Sequence, residues 1–163
     1  MNNETVFSKD LANKKMHVTR SFDAPVDKVW RAWTESEILD KWWAPKPWRA
    51  ETKSMDFSNG GLWLYAMVSP EGEKHWCRVD IKSVDPGKGF SSKSGFCDEE
   101  GNLSDAAPVM HWDVEFVATA TGTNVEIDIT FDSETDLEKI VQMGFQQGFT
   151  MGLGNLDELL PSL

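Results

Sequence analysis

Tyrosine occurs once, cysteine twice and histidine three times in 163 residues, and sixteen Lys and Arg face twenty-seven Asp and Glu. Each shortage excludes something. A net charge of −11 has the wrong sign for neutralising phosphate backbones or settling on anionic lipid, so nucleic acid is not expected as a partner. Two cysteines, Cys77 and Cys97, are too few for a disulfide framework and read as free thiols. Together with the histidines they show neither Cys-x-x-Cys nor His-Glu-x-x-His spacing, and no metal is indicated. Nor is there a Gly-x-Ser-x-Gly elbow, a phosphate-cradling loop or a dinucleotide fingerprint, so no cofactor is expected. The longest apolar run, Leu62 to Val68, has seven residues, where a bilayer needs roughly 18. Met1 to Asp10 lacks the charge and apolar pattern of a secretory leader, and the expected location is the cytoplasm, with no membrane insertion.

What the chain has in quantity is indole and phenyl: eight Trp and nine Phe, each able to bury about 150 to 250 Å². A chain of this length buries roughly 70% of its unfolded surface and needs no covalent staple. Residues 1–13 are polar and unpatterned and read as a flexible arm, leaving 14–163 as one domain. From Met16, side chains Met16, Val18 and Phe22 recur at period two with a polar break at Arg20, which reads as a strand. Pro25 and the series Val26, Val29, Trp30, Trp33 then predict a short helix. Thr34-x-x-Glu37 reads as a capping box opening a second helix with Ile38, Leu39, Trp42 and Trp43, which Pro45 stops. Six strands follow between Gly- and Pro-rich turns, over 48–57, 62–68, 75–84, 90–97, 110–119 and 124–131. One-sided alternation in the last two predicts an antiparallel sheet with one covered face. Residues 98–108 form a longer acidic, small-residue loop, read as either a disordered excursion or a lid.

The cover is expected from 133–160 as one long helix, with Thr135-x-x-Glu138 as a second capping box. Its apolar stripe is Leu137, Ile140, Val141, Phe145, Met151, Leu156 and Leu159, and Gly144, Gly148 and Gly152 recur one turn apart inside it. Each interior glycine costs about 0.5 to 1 kcal/mol relative to alanine. Two readings stand side by side. Either bulky neighbours press onto the helix backbone, or the missing side chains leave volume for an apolar ligand between helix and sheet.

The order of strand, two short helices, six strands and a Gly-rich helix accompanies Phe22-Asp23-Ala24-Pro25, Val29-Trp30-Arg31-Ala32-Trp33-Thr34, Trp42-Trp43-Ala44-Pro45 and Gly60-Gly61-Leu62-Trp63. In these features, from Met16 to Leu160, the chain resembles the bacterial proteins similar to the C-terminal domain of the activator of heat shock protein 90 ATPase, within the START-like or SRPBCC superfamily. The resemblance implies an α+β helix-grip fold, a curved antiparallel sheet of six to seven strands wrapped around a long C-terminal helix. It also implies a hydrophobic or amphipathic small molecule bound in a cavity between the two. Ala44 stands where that family often has Gly. The family's pattern further suggests that Trp63, Tyr65 and Met67 point inward.

By alternation His75 and Cys77 share the covered face with Val79 and Ile81, while His17 and His111 fall on wet faces. The expected cavity walls are therefore Trp63, Tyr65, His75, Cys77 and Trp112 on the sheet and Phe145, Gly148 and Gly152 on the helix, with His75 and Tyr65 orienting a ligand. Two other functions stay open. One is an interaction module acting on the chaperone in the family's name. The other is a cyclase- or hydrolase-like enzyme in which His75 or Cys77 carries the chemistry.

Overall fold

The computed structural model describes residues 4–105 and 107–163. Eight strands form one antiparallel sheet: β1 (Val6–Asp10), β2 (Lys15–Phe22), β3 (Arg49–Met55), β4 (Leu62–Val68), β5 (Lys74–Asp85), β6 (Gly89–Phe96), β7 (Met110–Ala118) and β8 (Thr123–Thr130). Their order in space is β1-β2-β8-β7-β6-β5-β4-β3. The chain thus leaves β2 near one edge and re-enters at β3 on the other, and helices α1 (Val26–Thr34) and α2 (Ser36–Trp42) carry it across. The covered face holds the alternate residues of each strand, such as Trp112, Val114 and Phe116 of β7 and Val125, Ile127 and Ile129 of β8. This is the α+β helix-grip architecture with eight strands in place of six or seven. The extra strand comes from the stretch read as a flexible arm, because Val6–Asp10 pairs with β2 from Val6↔Thr19 to Asp10↔Lys15. As an edge strand with only Phe7 partly buried, it carries almost no alternation to be read.

Arg20, taken for a polar break in β2, is buried on the same face as Met16, Val18 and Phe22. Its guanidinium pairs with Asp157, donates to the Ser21 carbonyl at 2.8 Å and lies 5.0 Å from the Phe22 ring centre. A charge on the buried face of a strand is tolerated when partnered in this way, and here the partner ties the last helix to the sheet.

The long C-terminal helix is two helices, α3 (Glu134–Gln142) and α4 (Phe145–Leu159), followed by a single 3-10 turn. The break is at Gly144, whose φ of 88° places it in the left-handed region. Met143 and Met151, respectively at the break and on the predicted stripe, are about half exposed, whereas Phe149 and Leu153 are buried. Both expected capping boxes are replaced. Ser133 caps α3 by accepting from the Asp136 amide at 3.1 Å, and Thr34 bonds back to the Trp30 carbonyl while Glu35 occupies the cap position of α2.

A Gly144→Ala substitution reports on this break. Inside a continuous helix it would stabilise by about 1 kcal/mol. At a left-handed position it should instead destabilise by about 1 kcal/mol, measured by urea unfolding.

Candidate functional site

The principal backbone neighbours of α4 are α2, α3 and the terminal turn rather than any strand. Aromatic side chains span the distance to the sheet. Trp43 meets Trp63 at 5.7 Å and Phe149 at 6.0 Å, and Trp112 meets Phe149 at 5.6 Å, ring centre to ring centre. They leave a cavity of about 330 Å³ unfilled. Its walls are Trp33, Leu39, Trp43 and Pro45 of the helical corner, and Trp63, Tyr65, Met67, Cys77 and Val79 of β4 and β5. Ser92, Ser94, Phe96, Met110 and Trp112 of β6 and β7 continue the sheet side, and Ile140, Met143, Phe145, Gly148 and Phe149 close it from α3 and α4. No charged side chain is among the described lining residues.

Six of the eight residues expected in the walls line the cavity: Trp63, Tyr65, Cys77, Trp112, Phe145 and Gly148. His75 does not. Its side chain is 55% exposed, and its ring lies against Trp48 at 5.3 Å. His75 shares the sheet face of its register partner Met67, which lines the cavity. However, His75 sits at the end of β5, beyond the cavity's rim. Gly152 is also outside. A Cβ there would stand 3.1 Å from the Trp43 carbonyl and 3.3 Å from that of Trp42, so this glycine exists for close backbone approach. A Cβ at Gly148 would find only Pro45, at 3.9 Å. The two readings of the glycine ridge therefore divide along the helix, with open volume at Gly148 and tight contact at Gly152.

Beside Gly152, the Asn155 side-chain amide donates to the Ala44 carbonyl at 3.2 Å and the Trp42 carbonyl at 3.5 Å. This clamp fixes the corner that carries Trp43, whose indole N–H donates to the Tyr65 hydroxyl at 2.8 Å. Tyr65 stacks on Trp63 with ring centres 4.1 Å apart. Burial pushes its phenol well above the ordinary range, with the neighbouring Cys77 adding to the shift. Burial likewise pushes the Cys77 thiol up to about 12. Both groups are neutral at physiological pH. Across the cavity, Trp112 donates its N–H to the Ser94 hydroxyl at 2.9 Å. The Trp33 N–H is shielded from solvent and has no hydrogen-bond partner among the described residues.

The 98–108 loop is held in place along its described part. The Asp98 carboxylate accepts from the Glu100 and Asn102 amides at 3.0 and 2.8 Å. Arg78 donates to the Gly101 carbonyl, and the Ser104 amide donates to the Phe96 carbonyl at 2.8 Å. The loop ends at Pro108 in the cavity wall. Sequence reasoning missed Phe149, Trp33 and Trp43 as wall residues. Phe149 lies four residues from both Phe145 and Leu153, a spacing that could have revealed it.

A family of known description matches residues 23–161, "Activator of Hsp90 ATPase homolog 1-like protein". The chain belongs to that family. Among solved structures it is similar to a protein of Arthrobacter aurescens, with a TM-score of 0.90 and 28% identity over 97% of this chain and 92% of the other. A Mycobacterium smegmatis protein follows at TM-score 0.87 and 30% identity, with 96% of each chain covered. A Staphylococcus epidermidis protein gives 0.84 and 25% over 96% of this chain and 94% of that one. No curated protein matches. The family's fold is one known for ligand binding. No helix among the described residues is long and apolar enough to cross a membrane.

Cys77 and Cys97 are free and face opposite sides of the sheet: Phe96 turns into the cavity, and Cys97, next in the strand direction, lies beside Arg78 and Asp80. Because the thiolate is the reactive form, Cys77 should resist iodoacetamide in the folded protein at mildly alkaline pH. Cys97, the more exposed thiol, should be labelled first, as read by peptide mass spectrometry. Cys77 labelling should rise only as the pH approaches its raised pKa or the protein unfolds.

Proposed function

We propose that this protein binds a small hydrophobic or amphipathic molecule in the cavity between its sheet and α4. The observation that carries the reading is the cavity itself: about 330 Å³, walled by aromatic and aliphatic side chains, at the helix turn where Gly148 replaces a side chain. A well-packed domain keeps few voids larger than a water molecule, and a helix normally fills such space with leucine. A ligand burying about 300 Å² of apolar surface gains about 7 kcal/mol, from which the costs of ordering are subtracted, so micromolar or weaker affinity is expected.

The chaperone reading rests on the family's name, whereas the cavity is a feature of this chain. The enzymatic reading relied on His75 as a proton-transfer group inside the cavity, and His75 stands outside it. Cys77, the other candidate, is a deeply buried thiol with a raised pKa, the opposite of an activated nucleophile.

Two leucine substitutions one turn apart test the proposal. Gly148→Leu should leave a cooperatively folding protein and weaken binding of ethylnaphthalene at least tenfold, followed by amide chemical shifts, because the new side chain occupies the cavity. Gly152→Leu should lower stability by about 1 to 3 kcal/mol or more, in keeping with overpacking against backbone. Undiminished binding in Gly148→Leu would place the ligand elsewhere.

A further inference from the structure

We infer that the cavity selects uncharged ligands that present a hydrogen-bond acceptor, a ketone or similar carbonyl oxygen, to the Tyr65 hydroxyl; this rests on the cavity being the binding site.

Tyr65 is 5% exposed; its hydroxyl accepts from the Trp43 indole N–H at 2.8 Å, and its own proton is directed to the Cys77 sulfur. A phenol has one proton to donate. The neighbouring acceptor is the Cys77 sulfur, which is a weak one. A buried donor left without a good acceptor carries a desolvation penalty that a ligand oxygen would remove. Accepting the Trp43 N–H polarises the hydroxyl and strengthens it as a donor. Ser94 repeats the arrangement on the other side of the cavity, its oxygen accepting from Trp112 at 2.9 Å while its own proton has no acceptor among the described residues. The indole N–H groups of Trp43 and Trp112 are thus already spent on hydroxyls, and what the wall offers a guest at these two points is O–H.

The same inventory excludes an ionised head group. Lys, Arg and His are absent from the described lining residues, so a carboxylate drawn inside would lose its hydration without an ion-pair partner. The upward shifts of Tyr65 and Cys77 report the same environment, one hostile to negative charge. Tyr65 and Ser94 lie on strands separated by β5, and Ser94 registers through Val79 with Trp63 rather than with Tyr65, so their backbones stand more than about 10 Å apart at about 4.8 Å per strand. Of the two hydroxyls, Tyr65 is the more deeply buried and is polarised by the Trp43 N–H, and it is assigned the acceptor. The unpartnered Trp33 N–H is the competing donor, and a bound carbonyl stretch that stays shifted in Tyr65→Phe would give the oxygen to it instead.

Three probes of similar shape separate the terms: acetylnaphthalene, ethylnaphthalene and naphthoate, titrated at neutral pH into the full chain and into Tyr65→Phe. The ketone should lose about five- to tenfold in affinity in Tyr65→Phe, as expected for one neutral hydrogen bond. The hydrocarbon should change by less than about twofold, which also reports an intact cavity. Naphthoate should bind the wild-type protein at least tenfold more weakly than the ketone. Independently of affinity, the infrared carbonyl stretch of bound acetylnaphthalene should move to lower wavenumber in the wild-type protein and lose that shift in Tyr65→Phe. Equal effects on ketone and hydrocarbon, an unshifted carbonyl in the wild type, or naphthoate binding as tightly as the ketone would overturn the selectivity while leaving the cavity as a site. Failure of all three probes to bind would overturn both readings.

Discussion

The contact on which the other features depend is the close approach of helix α4 to the carbonyls of Trp42 and Trp43. Gly152 permits it by having no side chain, and Asn155 secures it by donating to the Trp42 and Ala44 carbonyls. These carbonyls close α2, where the backbone has exhausted its helical partners and would otherwise carry orphan acceptors. Satisfying them from α4 fixes the corner Trp42-Trp43-Ala44-Pro45 as a rigid unit. Trp42 is locked into the core by donating to the Ala32 carbonyl, and Trp43 is aimed at Tyr65. With the corner and the Arg20–Asp157 pair holding α4 in place, the helix lies over the sheet without needing to touch it along its whole length.

That arrangement explains how a domain rich in indole can hold space. Rings make large rigid contacts with few rotatable bonds and favour edge-to-face geometry, and most ring pairs around the cavity are of this T-shaped kind. Edge-to-face packing of rigid bodies leaves gaps that flexible aliphatic chains would fill. The sheet bears the bulk through Trp63 and Trp112, the corner through Trp33 and Trp43, and α4 contributes Phe145 and Phe149 with glycine between them. The cavity is a consequence of this division of volume, with Gly148 as its clearest mark.

Much of this was legible from residues alone, for identifiable reasons. The strands of the middle and end of the chain obey period two, and α1 obeys a helical period, so their faces follow. Alternation and the family resemblance point Trp63, Tyr65, Cys77 and Trp112 inward, and all four are buried and line the cavity. Errors arose where a periodic pattern continues past the structure that gives it meaning. His75 keeps the alternation of β5 but lies beyond the cavity's end, and Met151 keeps a helical spacing on a side that faces solvent. The long helix was read through Gly144 because a glycine in the left-handed region and one in a helix look the same in sequence. Strand β1 was missed because an edge strand need not alternate, and Arg20 because its partner Asp157 is distant in sequence and only the fold brings them together. Nothing local distinguishes Gly148 from Gly152; their difference is decided by what α2 and Pro45 place opposite them.

A crystal structure of the full chain grown with acetylnaphthalene decides whether the space between the sheet and α4 holds a guest. Electron density for the probe is expected enclosed between Trp112, Phe149 and Pro45, passing beside Gly148, with its carbonyl oxygen in hydrogen-bonding reach of the Tyr65 hydroxyl. An interior in which Trp43 or Trp112 has swung in to fill the space, with the probe on the surface or absent, would contradict that expectation.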